Sequence, residues 1–409
     1  MPEPNKAAFA QTCLKETVDV LDKQRGQSKF YAIDGGWLLR QTSWGKDDTW
    51  GTIIGRYVDL VKFLGYSSET VSVVFDGYDS STKDHTHRRR QKHFCHDMQV
   101  HLENTPYTSK EKFLSNGKNK TALISQMSSA LRSSGMLVTQ CKDDADTDIV
   151  KSVLQFALVG SVEVRAEDGD ILIMLVYHYN PSLHGQILLT TSKGTFGIRD
   201  IEWKLTLIQK RYLLFIHAFT GCDTVSAIYG FSKEKLFERF CDCTLIDEMD
   251  IFYDAQSTRE DIQQAGIRIF QHMYKSPRLP LSTIRVNQFN KQSKAGVIRP
   301  EGLAPTDSAA AQHSLRAFLQ VQDWKSLESM SLNPEEYGWT IGRFGYEPIL
   351  MTEPIAPDNL LKFISCNCKG DCSSQRCSCK KNNVKCVAAC GNCHGKQCKN
   401  TEPEDARKE

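Results

Sequence analysis

The sequence predicts an α/β protein: a mostly parallel sheet with helices on both faces, then a mainly helical region, then a small cysteine-rich module. Three observations predict it. Short runs such as Phe30–Asp34 and Val71–Phe75 alternate with segments of helical periodicity, and these runs are mostly apolar instead of alternating, as strands covered on both faces are. Acidic residues recur where the runs end. Nine of the 15 cysteines lie within residues 366–398. A chain of 409 residues has room for two or three domains. The expected boundaries are 1–245 for the α/β domain, 246–360 for the helical region, 361–400 for the cysteine module and 401–409 for a charged, disordered tail.

Taken in order, Ala7–Lys23 has helical spacing of Phe9, Leu14, Val18 and Leu21. Phe30–Asp34 reads as a buried strand ending in an acid. Trp50–Leu64 is amphipathic and helical, and Val71–Phe75 is a second buried strand followed by Asp76. Lys83–His96 is basic and rich in histidine. Lys120–Gly135 reads as a helix leading to a strand at Met136–Thr139. Asp143-Asp-Ala-Asp-Thr-Asp148 opens a helix through Gly160, Val162–Arg165 follows, and the apolar run Ile171–Tyr177 reads as a strong strand. Residues 187–202 suggest a hairpin, and Tyr212–Phe219 a buried helix. Residues 245–345 read as helices with polar loops and a core around Trp324, Tyr337 and Trp339; residues 352–358 read as a linker.

Bulk properties exclude little. The net charge of +2 averages over local patches, and no apolar run is long enough to span a bilayer, so no membrane partner is expected. The chain opens Met-Pro-Glu-Pro-Asn-Lys, without an apolar signal segment, so reduced cysteines are expected.

The acids carry the first chemical signal. Asp34, Asp76, the pair Asp144/Asp146, the pair Asp168/Asp170, and Asp223 all stand at or after predicted elements. In an open α/β sheet the carboxyl ends of the strands share one crevice. Asp168 and Asp170, two apart in extended chain, would face the same side. Taken singly, Asp143–Asp148 suits a helix start and Asp34 and Asp76 suit turns. Taken together, each close pair of such carboxylates would cost roughly 4 kcal/mol at an effective dielectric near 20, so the cluster needs cations. Oxygen ligands without nearby histidine or cysteine favour Mg²⁺ or Mn²⁺, and two such ions form a phosphodiester-cleaving centre.

The second signal is Cys366, Cys368, Cys372, Cys377, Cys379, Cys386, Cys390, Cys393 and Cys398. Their number is odd, and Cys13, Cys95, Cys141, Cys222, Cys241 and Cys243 are scattered, which suits thiolate zinc ligation better than a disulfide framework. Nine thiolates can hold three tetrahedral Zn²⁺ if three of them bridge. That cluster carries about −3, whereas Lys369, Arg376, Lys380, Lys381, Lys385, Lys396 and Lys399 against Asp371 add +6. The folded module is then cationic, as a phosphate-binding surface needs. A purely structural zinc staple is the alternative.

The cysteine spacing resembles the tesmin-type CXC domain, a zinc-cluster DNA-binding module of nuclear proteins. The resemblance implies that Arg376, Lys380 and Lys381 meet DNA. A second resemblance spans residues 30–240. Ala32-Ile-Asp34, Val74-Phe-Asp-Gly77, Asp144-Ala-Asp146, Glu167-Asp-Gly-Asp170 and Gly221-Cys-Asp223 follow one another in the order of the metal-site motifs of the flap endonuclease/XPG family, a branch of the PIN-like nuclease fold. Aspartate replaces the family's glutamate at 144 and 146. The resemblance implies that Asp34, Asp76, Asp144, Asp146, Asp168, Asp170 and Asp223 hold two divalent ions and cut DNA to leave a 5′-phosphate. It places Lys83, Arg88, Arg89, Arg90 and Lys92, among His85, His87, His93 and His96, at the start of a phosphate-steering arch. Ser226–Lys233 resembles the family's duplex-gripping turn, which would bring Lys233 and Lys235 to phosphate. No sliding-clamp peptide is present. The join of the two modules resembles animal proteins ascribed to mobile elements. The expected activity is a Mg²⁺-dependent nuclease on DNA, in the nucleus. RNA as substrate, or a non-catalytic DNA-binding protein with a relict nuclease domain, are the alternatives.

Overall fold

The computed structural model describes residues 28–77, 82–83, 95–142, 144–231, 233–240, 244–294, 300–328, 332–343, 345–352, 366–381, 385–386, 390–395 and 398–401. The predicted helix Ala7–Lys23, most of the basic stretch 83–96 and the linker 353–358 lie outside the described residues.

Strand β1 (Phe30–Asp34) is followed by α1 (Gly35–Gln41) and α2 (Trp50–Leu64), then β2 (Thr70–Phe75), α3 (Lys110–Leu114), α4 (Gly117–Ser133), β3 (Leu137–Gln140), α5 (Asp146–Ala157), β4 (Val162–Arg165) and α6 (Gly169–His178). After these come β5 (Ile187–Thr191), β6 (Gly194–Gly197), α7 (Ile198–Lys204), α8 (Leu207–Arg211), α9 (Leu213–Phe219), α10 (Lys233–Phe240) and α11 (Ile246–Ile251). Helices α12 (Arg259–Met273), α13 (Leu281–Lys294) and α14 (Asp307–Ser326), hairpin strands β7 (Trp339–Gly342) and β8 (Gly345–Pro348), and the short α15 (Ser378–Lys381) complete the order.

One six-stranded sheet runs β3-β2-β1-β4-β5-β6. The first five strands are parallel, and β6 is an antiparallel edge closed on β5 by a two-residue turn. Phe30, Tyr31, Ala32 and Ile33 are all buried, as a central strand with helices on both faces must be. The chain leaves β1 toward β2 on one side and later returns to β4 on the other. The carboxyl ends of β1, β2 and β4 therefore meet at a change of direction, where such sheets hold ligands.

Two readings are corrected. Ile171–Tyr177, expected as a strand, is the buried helix α6. Burial on all sides removes periodicity from the sequence, so an apolar run of this length fits either element. The Asp168 side chain decides for helix by accepting from the Asp170 amide at 2.9 Å as its cap. In residues 187–202 the hairpin ends at Gly197, and Ile198 starts α7.

The described residues fall into two compact units, within the spans Pro2–Ala255 with Arg316–Pro348 and Gln256–Leu315 with Ile349–Glu409. In the first, the end of α14 packs with the sheet domain: Gln322 donates to the Phe252 carbonyl at 2.8 Å and Trp324 is buried against His217. In the second, Gly266 of α12 lets Ser314 approach so closely that a Cβ would stand 1.7 Å from its hydroxyl. No helix among the described residues is long and apolar enough to cross a membrane.

Candidate metal centre

Five chain segments deliver acids to one place. Asp34 ends β1 and caps α1, accepting from the Gly36 amide at 2.8 Å. Asp76 follows β2 and accepts from the Ala145 amide at 3.1 Å, which ties the end of β2 to the start of α5. Asp144 and Asp146 stand at that start. Asp168 caps α6, and Asp170 is buried in its first turn. Asp223 lies in the turn after α9. Two of these junctions need glycine. A Cβ on Gly35 would penetrate the Phe75 ring at 2.2 Å, and one on Gly77 would stand 1.8 Å from the Lys142 carbonyl oxygen.

Asp34, Asp76, Asp144, Asp146, Asp168 and Asp223 line a cavity of about 250 Å³, with Glu167, Lys83, Arg40 and Trp37 in its wall. The seventh acid, Asp170, joins them: Asp146, Asp168 and Asp170 each offer an oxygen within 4.8 Å of the others'. The structure thus brings together all seven acids singled out in the sequence. Asp168 and Asp170 do so from a helix cap and first turn, rather than from the extended chain expected.

The cavity is strained electrostatically. Burial, then the charge of Asp76, pushes the Asp34 carboxyl up to about 7. Burial also raises Asp144 and Asp146, although Lys83 opposes it in both. Lys83 donates to Asp144 at 2.5 Å and to Asp146 at 2.6 Å. Burial works against its charge, but the carboxylates around it outweigh burial and hold it protonated. Lys83 and Arg40 are outnumbered by the acids that line the cavity, an excess of negative charge that divalent cations would offset. The donor set is entirely oxygen and fits hard divalent ions of the Mg²⁺ or Mn²⁺ class.

Other expected contacts fall elsewhere. Lys83 faces the acids inside the cavity. Arg88, Arg89, Arg90, Lys92, His85, His87 and His93 lie outside the described residues, as does the Lys235 side chain. Lys233, expected at phosphate, is buried and donates to the carbonyls of His217 (2.7 Å) and Gly221 (2.6 Å). Carbonyls left open at the end of α9 attract it inward. Arg40 and Trp37 were missed, although they follow Asp34 by six and three residues, the spacing of one helical face. Lys120 of α4 was also given no role; burial lowers its ammonium, with the Asp76 charge opposing and the Arg40 charge adding to that.

The cysteines form a second, separate cluster. Cys366, Cys368, Cys372, Cys377, Cys379, Cys386, Cys390, Cys393 and Cys398 pack together. Their nearest sulfur pairs are Cys366–Cys372 at 3.8 Å, Cys366–Cys386 at 3.9 Å, Cys377–Cys386 at 3.8 Å and Cys379–Cys390 at 3.6 Å. Disulfide sulfurs stand about 2.0 Å apart, whereas two sulfurs about 2.3 Å from one tetrahedral zinc stand about 3.8 Å apart. Three sets of four can each surround one ion: 366/379/386/390, 366/372/386/393 and 366/368/372/377. Cys366 belongs to all three sets, Cys372 and Cys386 to two each, and Cys398 to none of them. Arg376 and Lys381 are exposed; Lys380 donates to the Ser373 carbonyl.

The sequence matches no family model and no curated protein. Solved structures similar to it include the bacteriophage T5 D15 flap endonuclease in a pseudo-enzyme–product complex with DNA and metal ions, 11% identical over 73% of this chain and 98% of that one, TM-score 0.37. The catalytic core of Rad2 in complex with DNA substrate is 14% identical over 78% and 96%, TM-score 0.40. The eukaryotic junction-resolving enzyme GEN-1 binding potassium is 13% identical over 81% and 66%, TM-score 0.37.

Proposed function

We propose that this chain is a divalent-metal-dependent nuclease that hydrolyses DNA phosphodiesters, with Asp34, Asp76, Asp144, Asp146, Asp168, Asp170 and Asp223 holding two Mg²⁺ or Mn²⁺ ions. The observation that carries the reading is the convergence of seven carboxylates from five segments on one cavity, two of them bonded to Lys83. Such a set opposes its own folding unless cations enter it. Bound there, the ions would supply Lewis-acid stabilisation of the charge that develops on a cleaved phosphodiester. The chain's own part is to fix that oxygen set through the caps of α1 and α6, and to present the Arg40 guanidinium at the wall, where it can pair with phosphate.

In the same reading the cysteine cluster is a CXC-type module holding three Zn²⁺. It presents Arg376, Lys380 and Lys381 to DNA and brings the nuclease to its substrate in the nucleus. A mobile-element origin accords with the joining of these two modules.

The test is cleavage of labelled flap, hairpin and single-stranded DNA, and of RNA, in Mg²⁺ or Mn²⁺ by the full chain beside Asp168→Ala. Wild type should cut DNA, and the variant should lose at least about a hundredfold, on the order of 3 kcal/mol of transition-state stabilisation. Equal cutting by both preparations identifies a contaminant. Binding without cutting by wild type supports the non-catalytic alternative, and cutting of RNA alone reassigns the substrate.

A further inference from the structure

Behind the acid cavity, Asp170 is joined to His217, which none of the motifs described above includes, and through it to the buried Lys233. His217 of α9 places Nε2 2.8 Å from Asp170 Oδ1, with the two side chains 1% and 0% exposed. On its other face, His217 Nδ1 stands 3.1 Å from Lys233 Nζ. The Trp324 ring lies 5.5 Å from the imidazole, tilted by 36°.

With Lys233 as an ammonium, the hydrogen bonds of the three groups fit one arrangement of protons. An ammonium has three N–H donors and no acceptor. Lys233 directs them at the His217 carbonyl, the Gly221 carbonyl and His217 Nδ1. His217 Nδ1 must then accept, which leaves the ring neutral and puts its proton on Nε2. That proton is donated to Asp170. An imidazolium would instead turn an N–H toward the ammonium.

We propose that Lys233 and His217 form a positioning device that fixes the Asp170 carboxylate for a divalent cation shared with Asp146 and Asp168. The inference rests on the metal-centre reading above and adds to it the residues that aim one ligand. Lys83 touches Asp144 and Asp146 directly and so competes with a cation. Lys233 is set one residue back, and only a neutral N–H reaches the ligand. The carboxylate is thereby oriented, without a salt bridge for the cation to break. Partners of this kind, bonded to metal-ligating carboxylates, are worth 10–100-fold in metal affinity.

The experiment measures Mn²⁺ binding to the zinc-loaded full chain by titration calorimetry. His217→Leu should weaken binding about 10–100-fold. His217→Gln, whose amide N–H can reach Oδ1, should restore most of it. The second measurement needs no variant to fold: ¹⁵N-histidine NMR of wild type should show His217 neutral with the proton on Nε2. A proton on Nδ1, a charged ring, or wild-type Mn²⁺ affinity in His217→Leu would overturn the proposal. Wild type that takes up no Mn²⁺ would instead remove the metal-centre reading itself.

Discussion

Asp34 shows how a side chain becomes a site without any unusual local sequence. At the end of β1 it serves as a helix cap, a common role, and the amides of Gly36 and Trp37 favour its charge. Burial beside Asp76, with Asp168 adding to it, outweighs those amides and raises its carboxyl to about 7, against about 3.9 in an unfolded chain. Between those two values the folded state holds a proton that the unfolded state releases, so stability falls as pH rises through this window. In buffer free of Mg²⁺ and Mn²⁺, the melting temperature of the zinc-loaded protein should therefore rise as pH is lowered from about 8 to about 5. Saturating Mg²⁺ should flatten or reverse that slope, because the ion replaces the proton. A metal-free slope of opposite sign would show that the acids do not repel one another as their placement requires. The acids could be read from the sequence because aspartates punctuated apolar runs. His217 could not, because a histidine inside an apolar helix has no periodic signature.

At the scale of elements, the site depends on how loops touch. The end of β2 and the stretch before α5 come into contact at Gly77 and Lys142, which sets Asp76 beside Asp144. Gly77→Ala would drive a Cβ into the Lys142 carbonyl. It should destabilise the fold by about 1–3 kcal/mol in urea denaturation and weaken Mn²⁺ binding as the two acids separate. A substitution without effect on either measurement would mean that the contact is dispensable. Strands β1 and β2 were legible because a run buried on both faces is mostly apolar instead of alternating. Helix α6 was misread for the same reason: full burial erases the difference between period 2 and period 3.6. Lys233 was misassigned because sequence shows a charge but not the carbonyls that draw it inward.

For the whole molecule, the sheet and the cysteine cluster belong to different compact units. The nine thiols should carry about three zinc ions by metal analysis of reduced protein. Burial raises the Cys366 thiol, so loss of zinc leaves a group that cannot readily ionise in place. A strong zinc chelator should abolish the module's structure, seen in amide NMR signals of residues 366–398. The thermal transition of the sheet unit should stay where it was. A shift of that transition on zinc removal would show that the cluster also supports the sheet unit.

The sequence by itself determined the α/β class, the identity of the seven acids and the nine thiols, because these follow from residue type, spacing and the apolar character of strands. Tertiary structure alone decided which of these meet. The distances among Asp34, Asp76, Asp144 and Asp168 are set by strand order, and strand order is a property of long-range packing that no local pattern records. It also decided that Lys83 and Lys233 turn inward, since the choice of partner for a cation depends on groups distant in the chain.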